Sequence, residues 1–231
     1  MEDVKIKICD IRETKVVKFC EQQGIDFFGI HQIQYPLTDE KKKLVEEIRK
    51  ITPNIKLVLV TKEEDINKLM EMCLQCKWDY VQLHSKIDLE KTIELKKKFK
   101  DNYIDTGIIS VIGMSELKDY DIEKMSKISD FLLFDSSIRG GTGVKSSNEL
   151  IRKIPELVNG KKFFIAGGLN DENVLEVIKS CNPYAVDVQS GVEYKIPELK
   201  HVKNPEKIRR FSNAVKNRKK EYYRDDDELE L

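Results

Sequence analysis

A chain of 231 residues is the length of one closed α/β barrel and too short for two sizeable catalytic domains. Its 41 basic and 41 acidic side chains cancel, which removes the net field that would draw it to nucleic acid or an anionic membrane, so any partner must be argued from a local site. No apolar run approaches the roughly 20 residues of a membrane span, the stretch from Met1 to Lys5 lacks a secretory pattern, and five scattered cysteines do not form a disulfide framework; a cytoplasmic chain with reduced thiols is expected.

In chain order, eight short runs rich in branched residues read as buried strands: Val4–Ile8, Ile25–Ile30, Ile55–Val60, Tyr80–Leu83, Ile104–Val111, Asp130–Phe134, Lys162–Ala166 and Tyr184–Val188. Between them lie stretches of helical spacing, among them Glu40–Ile51, Ile66–Cys76 and Leu89–Phe99. Eight βα units in order predict a single (β/α)8 TIM barrel. The alternative is an open doubly wound sheet, but no Gly-x-Gly-x-x-Gly follows the first strand. After Pro205 a last helix over Glu206–Lys219 closes the ring, so the barrel is expected to span residues 1–219. Residues 220–231 form a charged tail with little to bury, expected to be disordered. Lys41–Lys43 and Lys96–Lys98 lie on helices whose other face is apolar, which makes them solvated exterior rather than a nucleic-acid surface. Cys73-Leu74-Gln75-Cys76 has metal-like spacing but no second cysteine pair or neighbouring histidine, and reads as inert thiols.

Three glycine punctuations follow apolar runs in the last third of the chain: Gly140-Gly141-Thr142-Gly143, Ala166-Gly167-Gly168-Leu169 and Ser190-Gly191-Val192-Glu193. Glycine lets backbone N–H groups approach an anion, and the helix that follows adds positive potential, so three such turns on one barrel rim predict a phosphate pocket. Chemistry in a barrel belongs at the C-terminal ends of the strands, here Cys9, His31, His84, Asp135, Gln189 and Ser190. If Ile6 and Ile8 face the helices, Lys5, Lys7 and Cys9 point inward. An inward lysine needs a partner, and Asp187, on the strand that abuts the first, is the predicted one. With Lys7 two residues away, Cys9 is expected to titrate below the ordinary thiol value and serve as a base; the alternative is a small thiol that fills space. With His201 the one other histidine, no metal site is expected.

Five segments, in order, resemble phosphoribosylanthranilate isomerase: Lys7-Ile8-Cys9; Val81-Gln82-Leu83-His84; Leu132-Leu133-Phe134-Asp135-Ser136 ahead of the first glycine turn; Ala166-Gly167-Gly168-Leu169-Asn170-Asp171-Glu172-Asn173-Val174; and Ala185-Val186-Asp187-Val188-Gln189-Ser190-Gly191-Val192-Glu193. The resemblance implies an Amadori aldose–ketose isomerisation in tryptophan biosynthesis, without metal or cofactor. It makes Asp135 the general acid that protonates the furanose ring oxygen and Cys9 the general base that removes the C2′ proton. It gives the phosphate to Gly141, Thr142, Gly143, Gly167, Gly168, Ser190 and Gly191, and leaves Lys7, Asp10, His31, Gln82, His84, Arg139, Asp187 and Gln189 as supporting or substrate-contacting residues. The implied partner is a phosphorylated small molecule; oligomeric state is left open.

The departures from the family gather at the rim. Asp10 stands where the family usually has glycine, and its charge is expected to raise the Cys9 thiol. Ser85 replaces a glycine, Ser146-Ser147-Asn148 replaces Phe-Asp-Trp, and Gln189 replaces a serine. The family's arginine after Tyr-Pro, which grips the anthranilate carboxylate, has no counterpart between Tyr35-Pro36 and Arg49, with His31 and Arg139 as candidates to replace it. An enzyme for another phosphoribosyl compound, or a non-catalytic binder of a phosphorylated ligand, are the alternatives.

Overall fold

The computed structural model describes residues 3–84, 89–135 and 145–216. Eight parallel strands, β1 (Lys5–Ile8), β2 (Phe27–His31), β3 (Lys56–Thr61), β4 (Tyr80–Leu83), β5 (Gly107–Gly113), β6 (Phe131–Asp135), β7 (Phe163–Ala166) and β8 (Ala185–Val188), close into a barrel in sequence order. The helices are α1 (Val17–Gln22), α2 (Asp39–Ile51), α3 (Ile66–Gln75), α4 (Leu89–Asp101), α5 (Ile122–Ile128), α6 (Lys145–Leu157), α7 (Val174–Cys181) and α8 (Pro205–Lys216). The TIM barrel read from the sequence is therefore the fold. The expected tail at 220–231 lies outside the described residues.

The fifth strand starts later than its apolar run implies. Tyr103 takes a left-handed φ of 55°, the Ile104 amide bonds back to Phe99 O at 2.9 Å, and Ile104 is spent on ending α4. The ladder begins only at Gly107, whose amide bonds to Asp79 O.

Period-two alternation divides the strand residues between two cores. Outward residues such as Ile6, Ile8, Phe28, Ile30, Val81, Leu132 and Phe134 pack under the helices, while Cys9, Phe27, Val58, Val60, Leu133, Phe164 and Ala185 fill the interior. The interior floor is aromatic: Phe164 lies edge-on to Phe27 and Phe131 at centroid distances of 5.2 and 5.1 Å, and Tyr184 stacks on Phe131 at 5.0 Å. Aromatics here give large buried area and quadrupole-matched contacts that a wide floor needs.

At the N-terminal rim a single device recurs. An aspartate just before an even-numbered strand accepts a backbone N–H from the strand before it: Asp26 from Ile6, Asp79 from Leu57 and Asp130 from Ile108, at 2.8–2.9 Å. Cations close over each, Lys5 on Asp26, both Arg49 and Lys56 on Asp79, and Lys96 on Asp130. Cys73 is buried in α3 and Cys76 half-buried at its end, and burial pushes the Cys73 thiol up to about 12, in keeping with an inert pair.

Because Phe164 is fully buried against three rings, Phe164→Ala should cost about 3–5 kcal/mol, read as a lower urea midpoint at unchanged slope.

Candidate active site

The inward column of each strand ends at the C-terminal mouth, and parity decides which side chain arrives there. Lys7 leads to Cys9, Gly29 to His31, Val60 to Lys62, Gln82 to His84, Leu133 to Asp135 and Asp187 to Gln189. Cys9, His31, Lys62, Gln82, His84, Asp135, Gly167, Gly168, Asp187, Gln189 and Ser190 line one cavity of about 430 Å³. Of the expected site residues, Lys7 sits beneath it, Asp10 behind His31, and Gly191 beside the lining residue Ser190. Arg139, Gly141, Thr142 and Gly143 lie outside the described residues, as does Ser85.

Lys7 and Asp187 are register partners across the β1–β8 seam, and Lys7 Nζ donates to Asp187 Oδ2 at 2.7 Å and to Cys9 Sγ at 3.2 Å. Lys7 is fully buried; burial works against its charge, but Asp187 and Cys9 together hold its pKa above the ordinary lysine value. The space for this group comes from Gly29. A Cβ there would sit 2.8 Å from Cys9 Sγ and 3.0 Å from Lys7 Nζ.

The thiol itself corrects an expectation. Lys7 does pull its pKa down, yet burial is the larger effect and pushes Cys9 up to about 11, with Asp187 adding to the rise. Asp10 is not the opposing charge its sequence position implied. Its carboxylate is taken by Arg12, with Nε 3.0 and 2.9 Å from its two oxygens and Nη2 at 2.8 Å. Burial raises the Asp10 pKa, but Arg12, His31 and Lys203 outweigh it and hold the carboxylate below its ordinary value.

Both rim histidines point into the cavity. His31 Nε2 lies 3.1 Å from Cys9 Sγ, and His84 Nδ1 lies 3.4 Å from Gln82 Nε2. Burial lowers His31 to about 4, and lowers His84 against the opposing charge of Asp135. Two buried acceptors that border the cavity, Gln82 Oε1 and Asp187 Oδ1, have no protein partner among the described residues. Gly167 and Gly168 have φ of 100° and 65°, and a Cβ on Gly168 would meet open space, so backbone conformation rather than crowding calls for glycine there.

Behind the mouth, Glu193 accepts from Lys203 at 2.8 Å, and His201 Nδ1 stands 3.6 Å from Glu193 and 3.8 Å from Asp10. The two carboxylates of this Asp10, Glu193 and His201 cluster are thus already matched by Arg12 and Lys203.

The family model for N-(5'-phosphoribosyl)anthranilate isomerase matches residues 6–214. The isomerase of Aquifex aeolicus is 35% identical over 225 residues, covering 92% of this chain and 98% of its own, and that of Clostridium acetobutylicum is 32% identical over 215 residues. The chain belongs to the phosphoribosylanthranilate isomerase family. The Thermotoga maritima phosphoribosylanthranilate isomerase structure superposes with a TM-score of 0.73 at 25% identity, over 93% of this chain and 99% of the other. A phosphoribosylanthranilate isomerase solved with reduced 1-(o-carboxyphenylamino)-1-deoxyribulose 5-phosphate has a TM-score of 0.71 at 23% identity, with the same coverage.

Against the family's pattern, the residue after Cys9 is explained by its backbone. Asp10 has φ 61°, a left-handed conformation that favours glycine and that aspartate is among the few side chains to tolerate. Arg49 does not stand in for the missing rim arginine: it bonds to Ile55 O, Lys77 O and Asp79 at the opposite end of the barrel. Lys62 was missed by the sequence reading, although parity from Val58 and Val60 carries straight to it. It is the one lysine or arginine among the described residues that line the cavity.

Lys7→Met, which strands a buried Asp187, should cost about 3–5 kcal/mol in urea denaturation, and adding Asp187→Leu should recover most of it.

Proposed function

We infer that this chain isomerises N-(5'-phosphoribosyl)anthranilate by the family's Amadori rearrangement, as a cytoplasmic enzyme of tryptophan biosynthesis. The observation that carries the inference is that Cys9 and Asp135, at the ends of β1 and β6, line the same cavity as the Gly167-Gly168 and Ser190 backbone. An acid, a base and an anion cup in one compartment are the parts the reaction requires.

In this reading the phosphate is held by backbone N–H groups of Gly167, Gly168, Ser190 and Gly191, with Gly141, Thr142 and Gly143 completing the cup. Asp135 protonates the furanose oxygen and opens the ring to a Schiff base. Cys9 takes the C2′ proton, and the resulting enolamine tautomerises to the ketose. Gln82 Oε1 and Asp187 Oδ1, buried acceptors at the cavity wall, suit the ribose hydroxyls. The relative solved with a carboxyphenylamino deoxyribulose phosphate supports a ligand of this shape.

One observation favours a second reading, an isomerase for a different amine. The described loop after β2, residues 32–38, holds no arginine, and Arg49 is occupied at the far end. Turnover of freshly generated phosphoribosylanthranilate, followed by its fluorescence, separates the two.

Cys9→Ser and Asp135→Asn should each lower kcat by about 10²-fold or more, while inorganic phosphate still raises the Tm of both variants. Full rates in either variant would remove that residue from the mechanism.

A further inference from the structure

The isomerase reading asks Cys9 to act as a thiolate, yet Cys9 is buried and the cost of burying a lone negative sulfur is the largest influence on it. Its proton therefore needs a destination within reach. Lys7 cannot be that destination. Its ammonium is a donor only, so in the 3.2 Å contact the sulfur is the acceptor. The remaining neighbour is His31, whose Nε2 stands 3.1 Å from Sγ on the cavity side.

The imidazole is itself backed by a charge. Asp10 Oδ1 lies 3.8 Å from His31 Nδ1, an ion-pairing distance, and Arg12 fixes that carboxylate from its other side. Asp10 is nearly inaccessible to solvent, and it is the position at which the family's pattern has glycine, which would supply no carboxylate. Other charges also bear on the pair: Lys7 and Lys203 face both Cys9 and His31, Asp187 faces Cys9, and His84 faces His31. The positive set, Lys7 and Lys203, already favours a negative sulfur. The negative charge that would favour a cationic imidazole is Asp10.

We propose that Cys9, His31 and Asp10 form a proton relay, in which His31 takes the thiol proton on Nε2 and Asp10 holds the imidazolium that results. The Sγ–H bond breaks, an Nε2–H bond forms, and the electron pair stays on sulfur. The thiolate then takes the C2′ proton; the C2′–H pair becomes the double bond of the enolamine, and His31 keeps its proton while sulfur exchanges one with the substrate. Burial penalises thiolate or imidazolium alone, but the two formed together in contact offset one another. His31 acts through Cys9, and is a positioning residue. The mechanism rests on the isomerase reading, but the relay is a property of the thiol and is measurable without turnover.

The test is the pH profile of Cys9 alkylation by iodoacetamide in the intact protein, with modification at Cys9 read by mass spectrometry to separate it from Cys20, Cys73, Cys76 and Cys181. Wild type is compared with His31→Phe, His31→Asn and Asp10→Gly, the last compatible with the left-handed backbone at that position. In both His31 variants the apparent pKa of Cys9 should rise by about one unit or more, and the alkylation rate at pH 7 should fall about tenfold or more; Asp10→Gly should shift it the same way by less. In parallel, kcat for phosphoribosylanthranilate should fall in the His31 variants while KM holds. Either His31 variant, folded by its thermal melt and alkylated on the wild-type profile, would overturn the relay and leave the isomerase reading standing. A shifted profile in a protein whose wild type does not turn over phosphoribosylanthranilate would uphold the relay and sink the isomerase reading.

Discussion

A lysine ammonium buried inside a barrel, with no exposure to water, dictates much of what surrounds it. Lys7 must have a carboxylate, and only the strand that closes the ring beside β1 offers one at the same height, so Asp187 and the β1–β8 register are fixed together. The pair needs room, which is why the neighbouring strand has glycine at position 29. It also sets the potential felt by the sulfur directly above. Breaking the pair would leave a naked charge in the core, so the floor of the cavity at the barrel mouth is also a structural requirement.

Above that pair the mouth is built from charges that are each answered locally. Arg12 answers Asp10, Lys203 answers Glu193, and His201 stands between the two carboxylates. Lys203 also bonds to Gln189 O, which ties the segment after β8 back to the end of that strand, and His201 at 3.8 Å from Asp10 brings the same segment against the turn after β1. Cys9, Asp135 and the Gly167-Gly168 turn come from different strands, and the charge pairs behind the mouth help to keep their relative positions around one cavity.

The sequence was legible where a simple period governs. Alternation from Ile6 and Ile8 placed Lys7 and Cys9 inside, and the same count on β8 placed Asp187 opposite, because a strand offers only two directions for a side chain. Alternation fails at ends. Ile104 is as apolar as a strand residue, but it closes a helix, and only the left-handed turn at Tyr103 reveals this. Electrostatics were less legible still. The separation of Lys7 and Cys9 in sequence spoke for a low thiol pKa, whereas the depth of burial, set by β2 and β8, reverses the sign. By sequence position alone Asp10 is a charge that disturbs Cys9, whereas in the fold its carboxylate is held by Arg12 and faces His31. Lys62 needed no new rule, only the extension of the Val58 and Val60 count by one step beyond the strand.

The three aspartates at the N-terminal rim grasp the strands two by two, β1 with β2, β3 with β4 and β5 with β6. Stagger is thereby set at the end of the barrel remote from the reaction, beneath an aromatic plug that insulates one end from the other. Alignment and chemistry thus sit at opposite ends of the molecule. Side chains at the mouth, Asp10 and the loop after β2 among them, can vary without renegotiating how the staves are aligned.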